Sequence, residues 1–451
     1  MTPPLRYYQT DALNQLLKSG NKCLGLEMGL GKTRVIIEYM KTIKAQRAVI
    51  VAPKSVCLVW RDELKKWWPD GPYSYQWTPQ MKLADIGIYI VNYDKFSVGD
   101  LTAKSFVEWG NIDVLALDEA HLLKNIAANR TKSIYKTLAP HVKKIIPASG
   151  TIAVNHAGEI YTHLKYLAPH LITQKNGFVM TQHDFENRYC IVANRKFGAG
   201  QPVRVILGSQ NLEELRERTK DFFIRKTKKE CLPELPPLQF VTLSVKPSLD
   251  GLNAVKELSG ILKTGMSDDE VLKTLQSNDE HISRLRAALG LAKATSAAHY
   301  IQGYLAEGTH KVLLYAHHIK VIDHLMSVLA DFNPVKIDGR DSAAQRGKSV
   351  DAFLNNPKCR VFIGNNAAST GLTLINDKNQ CRDTFFVEAS YTPANNLQFA
   401  ARIHRLGQKD GVLARYMVAT GTIDDRVMDI VARKTNEIAE LLDGAKKDGQ
   451  Y

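Results

Sequence analysis

Three clusters of residues in this 451-residue chain have the types and spacing to do chemistry. The first is Leu26-Glu27-Met28-Gly29-Leu30-Gly31-Lys32-Thr33, directly after the apolar run Lys22–Leu26. A strand that ends in a glycine-rich turn and then opens a helix aims several backbone N–H groups and the positive end of a helix dipole at one point, which suits a phosphate. The apolar periodicity of Arg34–Ile43 predicts that helix. Lys32 is then placed to reach the β- and γ-phosphates of a nucleotide and the Thr33 hydroxyl to ligand Mg2+, while Gly29 and Gly31 let the backbone approach. The register is irregular, because the usual first glycine falls on Leu26 and Gly25 lies one place early. An ordinary strand-turn-helix corner is the other reading of this loop taken alone.

The second cluster is Asp118-Glu119-Ala120-His121, after the apolar run Asp113–Leu117. Adjacent carboxylates at the end of an apolar strand are costly unless they meet a cation or do chemistry. Beside a phosphate loop, Asp118 would hold the Mg2+ shell and Glu119 would polarise the attacking water. The third cluster runs from Gln398 through Arg402 and Arg405 to Gln408. If its first part is helical, Gln398, Arg402 and Arg405 share one face. Two guanidiniums there suit the charge that builds on a γ-phosphoryl group, although helix-surface arginines paired to acids are the alternative. Gln9 carries a donor and an acceptor on one amide and can pair with the edge of an adenine. These residues point to ATP and Mg2+.

The elements that must position them are legible as apolar runs. Arg47–Ala52, Gly87–Val91, Asp113–Leu117 and Lys144–Pro147 predict strands of a parallel sheet covered on both faces. Polar residues just beyond such strand ends face the ligand crevice, which makes Lys54, Ser55, Asn92 and Tyr93 candidates for contact with a nucleic-acid backbone, a solvated loop being the other reading of each. Ala148-Ser149-Gly150-Thr151 has small hydroxyl residues suited to a relay between the nucleotide and a second site. Ile191–Leu207 reads as a β-hairpin with Arg195 and Lys196 near its tip, and a basic solvated edge is its bland reading. Arg225–Lys229 holds four cations in five residues, able to contact phosphates, although such a run is usually a solvated face. The prolines of Pro233–Pro237 mark a lobe boundary, with a strand-like Leu238–Val245 beyond and helical spacing across Leu249–Leu305. Lys311–Ala316, Val335–Asp338, Arg360–Gly364 and Asp383–Glu388 repeat the strand pattern without a second complete phosphate loop. Paired His317 and His318 lack metal-ligand company, and Ile423–Leu442 reads as a final amphipathic helix.

Composition agrees with a multidomain globular chain: 44% hydrophobic and 24% charged residues, and too many residues for one ordinary core. Sixty Lys and Arg against 46 Asp and Glu leave a net charge of +14, which favours a polyanionic partner, nucleic acid being the commonest, or marks a merely basic enzyme. Six scattered cysteines form no Cys-x-x-Cys pair and read as buried small hydrophobes. With no signal peptide and no membrane span, a cytoplasmic setting is expected, the host cytoplasm if the chain is viral.

The order of these elements resembles superfamily 2 nucleic-acid motors and, within them, the Swi/Snf-type ATPases. The resemblance is carried by Leu5-Arg6-Tyr7-Tyr8-Gln9, the phosphate loop, Asp118–His121 followed by Lys124-Asn125, Ser149-Gly150-Thr151 and the Gln398–Gln408 stretch. Phe185–Cys190, the glycine-tipped Phe197–Gly200 segment, Phe223–Lys228 and Leu313–His318 look most like the annealing-helicase, HARP-like branch. One departure is Ser390-Tyr391-Thr392-Pro393, where the family has an aromatic residue and then Asn-Pro.

The resemblance implies an α/β fold of two tandem RecA-like lobes. Residues 1–237 would form lobe 1, with a helical and β-hairpin insertion at 155–230. Residues 238–305 would be a linker and small helical element, and 306–451 lobe 2. It implies an ATP-driven DNA translocase or helicase that remodels forks and branched junctions in replication or recombination, with the Arg195–Lys196 hairpin touching DNA at a branch. It also implies DNA-backbone contacts at Ser369 and Thr370, and a probe of the γ-phosphate by Arg402 and Arg405. A monomeric motor with strongly salt-dependent, sequence-independent DNA binding, and with replication or recombination proteins for partners, is expected. No appended module is legible, as in motors of compact genomes such as those of large bacteriophages. An RNA-directed helicase of the same superfamily and a non-hydrolysing nucleic-acid clamp are the competing readings.

Overall fold

The apolar runs fold as parallel strands, as their burial on both faces requires. The computed structural model describes residues 3–18, 20–150, 156–195, 203–248, 253, 256–257, 260–262, 266, 268–275, 277, 279–368, 371–379, 381–420, 422–431 and 433. Two compact units divide between Cys231 and Leu232.

In the first unit the strands are β1 (Cys23–Leu26), β2 (Arg47–Ala52), β3 (Ser74–Gln76), β4 (Gly87–Asn92), β5 (Ile112–Asp118), β6 (Val142–Ala148), β7 (Cys190–Arg195), β8 (Val203–Ser209) and β9 (Phe223–Lys226). Seven of them form one sheet in the order β3-β4-β2-β5-β6-β1-β9, every pairing parallel. Helices α1 (Tyr7–Leu17), α2 (Lys32–Thr42) and α3 (Cys57–Trp67) belong to this unit. The phosphate loop therefore joins β1 directly to α2, and Asp118 is the last residue of β5. On the sheet, Val49, Val51, Leu115 and Leu117 pack with Phe96, Phe106 and Tyr161 in one fully buried cluster.

Two strands of this sheet, β3 and β9, were not expected. Phe223–Lys226, part of a basic run that suggested a surface, pairs with β1 from Cys23↔Phe223 to Leu26↔Lys226. The expected hairpin is present as β7 and β8, antiparallel from Cys190↔Ser209 to Arg195↔Val203 with a bulge at Ile191/Val192. Its tip, with Lys196, lies outside the described residues.

The second unit holds β10 (Leu238–Ser244), β11 (Val312–Tyr315), β12 (Val335–Ile337), β13 (Val361–Gly364), β14 (Asp383–Phe386) and β15 (Val412–Val418), in the order β10-β15-β14-β11-β13-β12. All pairings are parallel. Leu238–Ser244, placed by sequence in a linker, is the edge strand of this sheet, bonded along its whole length to β15. The two units are thus the parallel, helix-flanked sheets of tandem RecA-like lobes.

The long helix Glu280–Ala306 buries Ala294, Ala297, Ala298, Ile301 and Leu305 against Leu314, Phe385 and Met417. At its other end Leu285 and Leu289 meet Ile423, Val427, Ile430 and Val431, the described part of the final apolar stripe. His318 and the backbone N–H groups of His317 and His318 contact the Glu388 carboxylate (2.6, 2.8 and 2.9 Å), so the histidine pair is a packing feature of this unit. All six cysteines are buried and unpaired with one another. Among the described residues, no helix is long and apolar enough to cross a membrane.

Candidate nucleotide site

The loop between β1 and α2 turns on Gly29 and Gly31, at φ +89° and +84°, a conformation that a side chain would strain. Gly31 is also the N-cap of α2, and a Cβ there would run into the Gln9 amide. Gln9 Nε2 donates to the Leu30 carbonyl (3.0 Å), and its Oε1 accepts from the Arg6 N–H (3.0 Å). Gln9 therefore braces the loop from α1, with one donor and one acceptor position beyond those bonds for an adenine edge. Lys32 Nζ donates to the Leu26 carbonyl (3.1 Å), which holds the amine across the mouth of the loop, and Thr33 follows in the first turn of α2.

Opposite the loop, the strand order places the ends of β5, β6 and β1 side by side. Asp118 is buried, with its Oδ2 accepting from the Trp60 indole N–H (2.8 Å) and its Oδ1 from the Glu119 N–H (3.0 Å). Burial, and then the neighbouring Glu119 charge, push its carboxyl up to about 6, opposed by Trp60 and by the Lys32 charge. A buried carboxylate held against that cost fits a cation ligand. Thr33 and Asp118 with substrate phosphates are the sparse protein donor set that Mg2+ takes.

Glu119 has a left-handed backbone (φ +51°), which turns its carboxylate toward β6. There His121 Nδ1 lies 3.3 Å from its Oε2 and 3.2 Å from the Ser149 hydroxyl, which in turn donates to the same carboxylate oxygen at 3.5 Å. Ser149 thereby ties the strand-end hydroxyl that sequence assigns to a relay directly to the water-polarising candidate. Thr151 lies outside the described residues.

The other candidates fare differently. Lys54 and Ser55 occupy the turn after β2, exposed and half-buried respectively, on the ligand edge of the sheet. Asn92 ends β4. Tyr93 corrects the expectation of a nucleic-acid contact: its ring is buried and its hydroxyl donates to the Asp118 carbonyl (2.7 Å), so it supports the carboxylate pair from inside. Arg225 is a second correction. Its guanidinium donates to the carbonyls of Gly25 (3.0 Å) and Gly150 (3.1 Å), which fixes the loop strand to the β6 turn.

In the second unit the helix carrying Gln398 ends at Ala400, so the single helical face expected for Gln398, Arg402 and Arg405 does not form. A different device gathers the arginines, because Arg402 and Arg405 both donate to the Leu372 carbonyl (3.1 and 3.0 Å), while Gln398 is buried. Arg195 lies in β7, and Ser369 and Thr370 fall outside the described residues. Trp60 was missed by sequence, since an indole 58 residues upstream of a carboxylate leaves no local signal.

A strand, a glycine loop over a lysine and, at the end of a parallel strand two places along the same sheet, a buried Asp118 followed by Glu119 define a P-loop nucleotide-binding unit. Residues 8–294 match the SNF2-related domain and residues 293–407 the helicase conserved C-terminal domain, and the chain belongs to the SNF2-related family of superfamily 2. It is 28% identical over 458 residues to the SWI/SNF-related matrix-associated actin-dependent regulator of chromatin subfamily A-like protein 1 of Xenopus tropicalis, covering 96% of this chain and 44% of that protein. It is also 28% identical over 455 residues to the DNA annealing helicase and endonuclease ZRANB3 of Homo sapiens, covering 98% of this chain and 40% of that one. The chain therefore spans less than half the length of these relatives. The Sulfolobus solfataricus SWI2/SNF2 ATPase core in complex with dsDNA aligns over 99% of this chain and 94% of its own at 17% identity, with a TM-score of 0.43.

Proposed function

We propose that this chain hydrolyses ATP to translocate on duplex DNA and to remodel forks and branched junctions in replication or recombination. The observation that carries the reading is the convergence of Lys32 and the Asp118–Glu119 pair at one end of the first sheet, with Glu119 held by His121 and Ser149. Membership of the SNF2-related family supports it, as does the likeness to a protein named as a DNA annealing helicase.

Lys32 binds the β- and γ-phosphates, and the N–H groups of the loop and of α2 orient them. Thr33 and Asp118 would hold Mg2+, which would supply charge neutralisation to those oxygens. Glu119 orients and polarises the attacking water, and Ser149 reports the state of that carboxylate to the β6 turn. Arg402 and Arg405 supply positive charge to the γ-phosphoryl group in the working cycle, with Gln398 setting the chain that carries them. Lys54, Ser55, Asn92, Arg195, Lys196, Ser369 and Thr370 are the proposed DNA contacts, mostly to the backbone, which makes binding salt-dependent and tolerant of sequence.

ATP hydrolysis measured with single-stranded DNA, duplex DNA, a fork and structured RNA, at equal phosphate concentration and low salt, tests the reading. Strongest stimulation by the fork is expected, and stimulation by RNA alone would overturn the substrate. Lys32→Ala is expected to abolish hydrolysis and keep part of the DNA binding; normal turnover in that variant would remove the site assignment.

A further inference from the structure

Between the buried residues Ile172 and Met180 the chain makes a small closed turn. Thr173 and Val179 form an isolated antiparallel bridge. Inside it the Gln174 N–H donates to the Phe178 carbonyl (2.8 Å) and the Gly177 N–H to the Gln174 carbonyl (3.0 Å), while the Phe178 N–H donates to Asn176 Oδ1 (3.1 Å). The base is pinned to the core by the Met180 N–H on the Ile172 carbonyl (2.9 Å) and the Tyr161 hydroxyl on the Met180 carbonyl (3.0 Å). On this fixed base the Phe178 ring stands 72% exposed. A phenyl group held in water forfeits its burial free energy, and every hydrogen bond of the turn keeps it there.

Its surroundings are cationic. Gln174, Lys175 and Asn176 of the turn line an open cavity of about 600 Å³ together with Arg188 and Arg218. The two guanidiniums share one carboxylate, Glu214, at 2.8 and 2.7 Å. Asp184, the acid in the described lining, is occupied by the Thr181 N–H and hydroxyl at 3.1 and 2.7 Å. Lys175, Arg188 and Arg218 set against Asp184 and Glu214 leave one net positive charge around the cavity that Gln174, Lys175 and Asn176 of the Phe178 turn help to line. A protein-docking face would extend the apolar patch, whereas the neighbours of Phe178 and Val179 on the turn are Lys175, Asn176 and Gly177. An exposed aromatic on a turn that adjoins a net positive cavity is a pairing that takes a nucleic-acid base on the ring and its phosphates alongside.

We propose that Phe178 is a stacking platform for an unpaired base of a DNA fork, with Lys175, Arg188 and Arg218 steering the adjoining phosphates. The proposal rests on the DNA-motor reading and names where that motor holds the unpaired strand.

The test uses the full chain and forks with 2-aminopurine at successive positions of the unpaired arm. The unaltered chain and Phe178→Trp quench the probe at one position, and Phe178→Ala loses the quenching and about tenfold of the fork affinity. Affinity for blunt duplex and duplex-stimulated ATP hydrolysis stay equal in all three. Unchanged quenching in Phe178→Ala, or equal loss on fork and blunt duplex, overturns the platform. A failure of every DNA to stimulate hydrolysis in the unaltered chain counts against the motor reading, while the quenching comparison still decides the platform.

Discussion

His163 is fully buried in the first unit, with the Tyr135 hydroxyl 2.7 Å from its Nδ1. Burial, helped by the nearby His121, drops its pKa to about 3, so it stays neutral in the folded chain while the unfolded chain protonates it near 6.5. The sign follows: the unfolded state binds more protons between those values, so the stability is complete above about pH 6.5 and is lost as pH falls toward 3. At pH 5 the loss is about 2 kcal/mol. Urea unfolding of the unaltered chain and of His163→Gln at pH 7 and pH 5 checks it. The variant should show a smaller acid loss, and identical losses would remove His163 from the account. At this scale the sequence was most legible where chemistry demands adjacent residues, as in Gly31-Lys32-Thr33 and Asp118-Glu119. It was silent where partners are far apart, as with Trp60 on Asp118 and Arg225 on Gly150.

Among the elements of the second unit, the long helix Glu280–Ala306 is locked by one buried ion pair. Lys293 Nζ lies 2.5 Å from Asp424 Oδ2 and donates to the Met417 carbonyl at 3.1 Å, and the same Asp424 oxygen accepts from the Ala419 N–H. Both side chains are buried, so removing one partner strands the other charge. Lys293→Met is expected to cost about 3–5 kcal/mol, and the double variant Lys293→Met with Asp424→Leu to recover much of it. Denaturant unfolding decides this, and a single variant as stable as the unaltered chain would show that the pair does not hold the helix. Element boundaries were legible wherever apolar runs were continuous, and β2 was bounded to the residue. β9 was misread because two adjacent cations, the half-buried Arg225 and Lys226, disguise a strand whose ladder partner is the phosphate-loop strand. The helix over Gln398–Arg405 was misread for the opposite reason. Nothing in Ala400-Ala401-Arg402 forbids a helix, but the Arg402 carbonyl accepts from the Leu374 N–H (3.1 Å), and that tertiary bond ends it.

For the molecule as a whole, the net charge of +14 and two parallel sheets with polar residues at their strand ends agree with a motor that handles a polyanion. The phosphate loop lies near the start of the chain, yet what secures it arrives late. The Tyr7 hydroxyl donates to the Glu230 carbonyl (2.9 Å), Asp11 pairs with Lys226 (2.7 Å) and Lys22 donates to the Asp221 carbonyl (2.7 Å). Arg225 reaches Gly25 across 200 residues of sequence. Contacts of such separation cannot form until the later partner exists. During synthesis, then, the N-terminal segment should emerge from the ribosome unable to retain a nucleotide, and gain that ability only once the stretch through Glu230 has cleared the exit tunnel. Nascent chains stalled before and after that point, probed with a fluorescent ATP analogue, should divide sharply, and binding by the shorter ones would show that the loop matures without its late clasp.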